Sequence, residues 1–280
     1  MNRTRRILRE YGYQAKKSKG QHFLVHEKVL SNIVDAARIT PEETVVEIGP
    51  GPGNMTRRLV KQAKRVVAIE LEHELATVLR AEVEADNLDI IESDVLDVDF
   101  AELAAKDEKL KVVANLPYNI TTPVLFKLLD DWQSFSSLYL LIQKEVADRI
   151  CAPPGKKPYG ILAVQTQIKA APRLVMEVGA EAFSPKPRVK SSLVEIKMLG
   201  STRAPLDDPG LFREVVRAAF SQRRKMIKNS FPKELEGVRK EAIIEAMEES
   251  GIDPTARPEQ VTVEEYAGLS NAILKRKGNA

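Results

Sequence analysis

Thr44-Val45-Val46-Glu47-Ile48-Gly49-Pro50-Gly51-Pro52-Gly53-Asn54 decides the fold. A short β-branched run breaks into alternating glycines, and a helical pattern follows from about Met55 to Gln62. Strand, glycine loop, helix is the order in which a backbone without side chains lets a ligand approach a helix N-terminus. The next strand, Arg65-Val66-Val67-Ala68-Ile69, ends in Glu70. That places a carboxylate ~20 residues beyond the glycines, where it can hold ribose hydroxyls. The spacing Gly49-x-Gly51-x-Gly53 lacks the second spaced pair of the dinucleotide fingerprint, and no P-loop Lys-Ser/Thr is nearby. A nucleoside ligand without a pyrophosphate fits better than NAD or ATP.

The alternation continues. Leu88-Asp89-Ile90-Ile91-Glu92 reads as a strand with Asp94 just beyond, able to accept from an adenine amino group or to cap a turn. Lys111 to Ala114 is a fourth strand, halting at Asn115-Leu116-Pro117-Tyr118. An amide, two outward-capable carbonyls and an aromatic ring can together bind an exocyclic amine and stack on the base that carries it. Successive strands thus end in polar groups, as expected where an open α/β sheet binds ligands at its carboxyl edge.

Further on, Thr122 is the expected cap of a helix running through about Leu129, with Pro123 in its first turn. Ser137 to Ile142 reads as a fifth strand, Gly160 to Lys169 is ambiguous, and Arg173 to Val178 and Ser192 to Met198 form a closing pair. Between that pair lies Phe183-Ser184-Pro185-Lys186-Pro187-Arg188-Val189-Lys190, a stiff basic loop. Phe183 is most simply a packing residue, with the second face of a stacked base as its alternative role. The turn-rich run 200–210 marks a domain boundary, giving residues 1–200 and 201–280, and the pattern beyond it is helical to the end.

Net charge is only +3, but it is unevenly placed. Arg3, Arg5, Arg6, Arg9, Lys16, Lys17 and Lys19 face one acid, Glu10, in a segment expected to be a mobile or late-ordered arm. Arg223-Arg224-Lys225 with Lys228 forms a second basic block. Such patches are the footprint of phosphate binding. One cysteine, Cys151, forbids an internal disulfide and suits a reducing compartment. His22, His26 and His73 have no ligand spacing, so no metal is expected. No apolar run is long enough to span a membrane.

Taken jointly, Gln21-His22-Phe23-Leu24, Glu47-Ile48-Gly49-Pro50-Gly51, Glu70, Asp94, Asn115-Leu116-Pro117-Tyr118-Asn119-Ile120, Phe183-Ser184-Pro185-Lys186-Pro187 and Ser221-Gln222-Arg223-Arg224-Lys225 resemble one family. It is the KsgA family, the small-subunit ribosomal RNA adenine N6,N6-dimethyltransferases, and the resemblance spans essentially the whole chain. It implies a Rossmann-like α/β methyltransferase fold with a mostly parallel sheet and a small C-terminal all-helical domain. It implies S-adenosylmethionine as methyl donor, held by His22, Leu24, Gly49, Gly51, Gly53, Glu70 and Asp94, with Asn115 touching it from between donor and target. Members commonly carry Asn where this chain has His22. Asn115, Leu116, Pro117 and Tyr118, with Phe183, would receive the target base. Lys186, Arg188, Lys190, Arg223, Arg224, Lys225 and Lys228 would bind RNA phosphates. The implied partner is small-subunit rRNA within a pre-30S particle, in the cytoplasm, and nothing in the sequence demands a dimer. Two other readings share the motifs: a large-subunit rRNA adenine methyltransferase of the antibiotic-resistance type, and a non-catalytic nucleic-acid-binding protein on the same fold.

Overall fold

The computed structural model describes residues 3–15, 20–104 and 108–277. Their contacts separate the chain into two compact units, Met1–Ala147 with Arg173–Met198, and Asp148–Pro172 with Leu199–Ala280. The chain therefore passes between units three times, whereas a single boundary at 200/201 is expected from the sequence. The difference lies in residues 148–172. Tyr159, Ala163, Val164 and Ile168 are wholly buried in the same cluster as Val215, Tyr266 and Ile273.

In the first unit the strands are β1 (Phe23–Leu24), β2 (Thr44–Ile48), β3 (Arg65–Glu70), β4 (Leu88–Glu92), β5 (Leu110–Asn115), β6 (Phe135–Gln143), β7 (Ala170–Val178), β8 (Phe183–Ser184) and β9 (Ser191–Met198). Seven of them make one sheet in the order β4-β3-β2-β5-β6-β9-β7. The pairs from β4 through β6 are parallel, and β9 lies antiparallel to β6. Every residue of β2 is buried, which is what a parallel strand covered on both faces requires. Strand order reverses at β2, which pairs with β3 on one side and β5 on the other. The loops after β2 and β5 therefore open a crevice at the carboxyl edge, the place where such sheets bind ligands.

The helices of this unit are α1 (Arg3–Glu10), α2 (Glu27–Ala37), α3 (Thr56–Leu59), α4 (His73–Glu82), α5 (Phe100–Leu103) and α6 (Thr121–Asp130). The expected mobile arm is, in its described part, the helix α1: Thr4, Ile7 and Leu8 line one buried face. Three basic residues flanking Ile7 and Leu8 mask that stripe in the sequence. Lys16, Lys17 and Lys19 lie outside the described residues. Helix α6 starts one residue before the expected cap. Thr121, not Thr122, turns its hydroxyl back to the Pro117 carbonyl at 3.1 Å.

Helix α7 (Lys144–Cys151) leads out of the first unit, and the ambiguous run 160–169 resolves as α8 (Ile161–Gln167). The second unit adds α9 (Pro209–Ala219), α10 (Lys240–Glu249) and α11 (Val263–Lys277). Asp208 caps α9, accepting from the Gly210 and Leu211 amides at 2.8 and 2.9 Å. The unit is not wholly helical: β10 (Glu234–Leu235) and β11 (Val238–Arg239) form a hairpin. Its two central residues, Glu236 and Gly237, have φ of 52° and 82°. Left-handed conformations at both positions are the usual hairpin geometry, but Glu at the first of them is not the Asn or Asp that signals it.

Candidate functional site

Two cavities adjoin at the crevice. The larger, about 220 Å³, is lined by Gly49, Glu70, Leu71, Asp94, Leu96 and Pro117 among others. The smaller, about 50 Å³, is lined by His22, Phe23, Gly51, Asn115, Leu116 and Tyr118 among others. Gln21, Gly49, Glu70 and Pro117 belong to both.

The floor of the larger cavity is built by the ends of β2, β3 and β4. Glu70 is 5% exposed, and its two oxygens accept from the Gly51 amide at 3.2 Å and the Glu72 amide at 3.0 Å. Burial raises its pKa, and the two backbone donors oppose that rise. Asp94 accepts from the Leu96 amide at 3.0 Å through Oδ1, so it caps a turn and lines the cavity at once. Leu71 and Leu96, both exposed, put apolar side chains at the cavity rim. A lone leucine after a strand carries no signal, so sequence reasoning misses both.

The glycines divide their tasks. A Cβ on Gly49 would meet nothing closer than Pro117 at 3.7 Å, so this position is open toward the cavity. On Gly51 it would lie 2.8 Å from the Phe23 ring, and on Gly53 2.6 Å from Val83. Gly53 serves close packing, and Gly51 combines it with a place in the lining of the smaller cavity. Leu24, expected beside the ligand, is 4% exposed and packs with Leu30, Ile33 and Met55, and it lines a third cavity of about 30 Å³ together with Gly49 and Asn115.

Glu47 has no role that its sequence position suggests. It is 1% exposed and accepts from the Thr56 hydroxyl at 2.6 Å. Burial pushes its pKa up to about 8, with the neighbouring Glu70 adding to the rise. Glu72 is buried as well, taking the Gln21 amide at 2.6 Å, with the Tyr13 hydroxyl 3.2 Å from its second oxygen. This group links the chain after α1 to the cavity floor. Its partners lie 51 and 59 residues before it in the chain, which no local spacing exposes.

At the smaller cavity, Asn115 donates through Nδ2 to the His22 carbonyl at 2.9 Å. The amide is thereby oriented, and Oδ1 remains as an acceptor. The Pro117 carbonyl already accepts from the Ile120 amide at 3.2 Å and the Thr121 hydroxyl at 3.1 Å. With both lone pairs engaged, it leaves Leu116 as the carbonyl beside Asn115 that can take a further donor. The Tyr118 hydroxyl lies 2.6 Å from the Ser191 hydroxyl, and burial raises its pKa. The His22 ring sits against Tyr118, centroids 5.2 Å apart and tilted by 36°. His22 therefore belongs to the Asn115–Tyr118 side of the site rather than to the larger cavity. Phe183 is 2% exposed and packed among Leu30, Tyr139 and Leu193. The packing role holds, and in this arrangement the ring presents no face to a base.

Lys186, Arg188 and Lys190 are exposed on one segment of the first unit, Lys190 lying 3.8 Å from Glu177. In the second unit Arg224 and Lys225 are exposed. Arg223 donates to the Lys157 and Tyr159 carbonyls at 2.9 and 2.7 Å and lies over the Phe220 ring, which makes it a strut. Lys228 is half-buried.

Comparison with known proteins agrees with this geometry. A family model described as ribosomal RNA adenine dimethylase matches residues 12–275. A ribosomal RNA small subunit methyltransferase A from Clostridium botulinum is 41% identical over 271 residues, 96% of this chain and 98% of that protein. The protein of the same name from Bacillus mycoides is 41% identical over 284 residues, covering 99% and 97%. Among solved structures, a dimethyladenosine transferase from Plasmodium falciparum superposes with a TM-score of 0.78 at 24% identity, covering 92% of this chain and 98% of that one. The 23S rRNA methyltransferase ErmE gives 0.68 at 22% identity, covering 89% and 98%. The last two speak for the fold alone.

Proposed function

The chain belongs to the ribosomal RNA adenine dimethylase family, and from that premise we propose that it dimethylates N6 of two adjacent adenosines in a hairpin loop near the 3′ end of small-subunit rRNA. The observation that carries this reading is the Asn115 amide in the lining of the smaller cavity, oriented by the His22 carbonyl so that Oδ1 is left as an acceptor.

S-adenosylmethionine is the donor that the larger cavity fits. Gly49 leaves room for the methionine part beside the backbone, Glu70 would hold the ribose hydroxyls, and Asp94, through Oδ2, the adenine amino group. Leu71 and Leu96 supply apolar surface for the purine, and the carboxyl groups of Glu70 and Glu72 in the cavity lining suit a cationic guest. When bound, the donor supplies an electrophilic methyl group on a sulfonium.

The chain's own part is to make a weak nucleophile competent. The N6 lone pair of adenine is delocalised into the ring. If N6 donates to Asn115 Oδ1 and to the Leu116 carbonyl, the nitrogen becomes pyramidal and its lone pair is localised. Orientation of this kind can lower a barrier by about 7 kcal/mol or more. Tyr118, held by Ser191, offers its ring to the extruded base, a contact worth ~1–3 kcal/mol. The methylated nitrogen is cationic and acidic, and its proton leaves to water. The same pocket then takes the monomethylated amine. A single-stranded loop suits this chemistry because little stacking is broken on extrusion.

Lys186, Arg188, Arg224 and Lys225 are the residues assigned to RNA phosphates; Arg223 supports its own loop. The protein acts in the cytoplasm, on a small-subunit assembly particle. The test is to incubate unmethylated small subunits with protein and isotopically labelled donor, then measure dimethyladenosine by nucleoside mass spectrometry. Label in small-subunit rRNA is expected. Label in isolated large subunits instead would move the protein to the antibiotic-resistance type, and no label in either would leave a binding protein.

A further inference from the structure

The segment Gly20–Leu24 crosses the site and touches several of its parts. A Cβ on Gly20 would lie 2.9 Å from the Asn119 side chain and 3.3 Å from the Tyr118 amide, so the chain presses directly on the loop after β5. Two residues on, His22 makes two distinct contacts. Its carbonyl holds Asn115, and its ring Nδ1 lies 2.8 Å from the Pro185 carbonyl oxygen. A carbonyl oxygen can only accept, so Nδ1 carries the proton and Nε2 is left as the acceptor of the neutral ring.

The same ring lies against Tyr118, whose hydroxyl binds Ser191. Pro185 and Ser191 are the two ends of the run that carries Lys186, Arg188 and Lys190. His22 holds one end of this basic loop and Tyr118 the other, and the two rings touch. The loop's charged residues are exposed, while its two ends are tied by side chains of the site itself.

We infer that His22 is a positioning residue for the RNA: its Nδ1–H bond to Pro185, paired with the Tyr118–Ser191 bond, clasps the basic loop 185–191 in register with the Asn115–Tyr118 pocket. The inference rests on the proposed rRNA reading and deepens it, because it makes phosphate binding and base capture one mechanical unit.

Two substitutions separate the clasp from simple packing. His22→Phe keeps a ring against Tyr118 and removes the N–H. His22→Asn removes the ring and returns an N–H near the Nδ1 position. The expected result for His22→Phe is a rise of about tenfold in KM for small subunits, with donor affinity by calorimetry within about twofold. His22→Asn is expected to restore most of that loss. Nitrogen-15 shifts of labelled histidine in the unsubstituted protein are expected to show His22 protonated at Nδ1, a measurement that needs neither turnover nor a variant that folds. An unchanged KM in His22→Phe overturns the inference, as does a spectrum with the proton on Nε2. Loss of donor affinity in both variants would return His22 to the donor site. Absence of any methylation by the unsubstituted protein would sink the functional reading, and the tautomer would still decide the clasp.

Discussion

Asn115 and Glu47 stand at or near the ends of neighbouring strands, and the surroundings give them opposite tasks. Asn115 keeps one polar atom for a guest. Replacing it with Ala removes that acceptor while leaving the exposed basic residues intact. Turnover should fall by about 10²-fold or more, with rRNA affinity in a filter-binding assay nearly unchanged. Asn115→Asp should also fail near neutral pH, because a carboxylate oxygen would then face the His22 carbonyl in place of the donating Nδ2. Glu47 is satisfied within the fold, and its cost is read in pH. Below about pH 4.5 the folded and unfolded chains both carry its proton. As pH rises from there, the unfolded carboxylate ionises first, and the buried one keeps its proton until about pH 8. Stability contributed by this residue is therefore lost progressively across that window. Glu47→Gln keeps an acceptor for Thr56 and removes the titration. Urea denaturation should find it more stable than the parent at pH 8 by a few kcal/mol, with the gap closing toward pH 4.5.

At the scale of elements, α1 and the cap of α9 are the parts most open to a direct stability test. Ile7 is 1% exposed beneath a row of arginines, and Ile7→Ala should cost ~2–5 kcal/mol in denaturation. Asp208→Ala removes two capping bonds and should cost ~0.5–2 kcal/mol. Much of the architecture is legible in the sequence because its signals are local. Thr44–Ile48 and Leu88–Glu92 form the strands that their sequences predict, to the residue. Glu70, Asp94 and Asn115 converge because consecutive parallel strands place their ends together. What escapes depends on distant partners. The charge pattern of 3–10 hides a stripe that only packing shows. The role of Leu24 turns on neighbours from α2, and that of His22 on Pro185, 163 residues away. Gly53 looks like a ligand glycine until Leu79 and Val83 are seen against it.

For the molecule as a whole, the modest net charge of +3 means that binding to RNA depends on where the cations sit. Removing Lys186 and Arg188 together, or Arg224 and Lys225 together, should weaken rRNA binding and flatten the salt dependence. The slope of log K against log salt should shrink by about 1 for every phosphate that is no longer neutralised. Arg223→Ala should behave otherwise, lowering the melting temperature more than the salt slope, because its guanidinium holds two carbonyls.

The Tyr159 hydroxyl donates to the Val261 carbonyl, a partner 102 residues further along. On a translating ribosome, which adds ~5–20 residues per second, that gap amounts to several seconds during which Tyr159, Val164 and Ile168 have left the exit tunnel without the helices that cover them. The nascent chain thus carries a greasy flap through the synthesis of β9, α9 and α10. Truncated products that stop before α11 should be recovered bound to chaperones or in inclusion bodies, and the full-length chain in the supernatant.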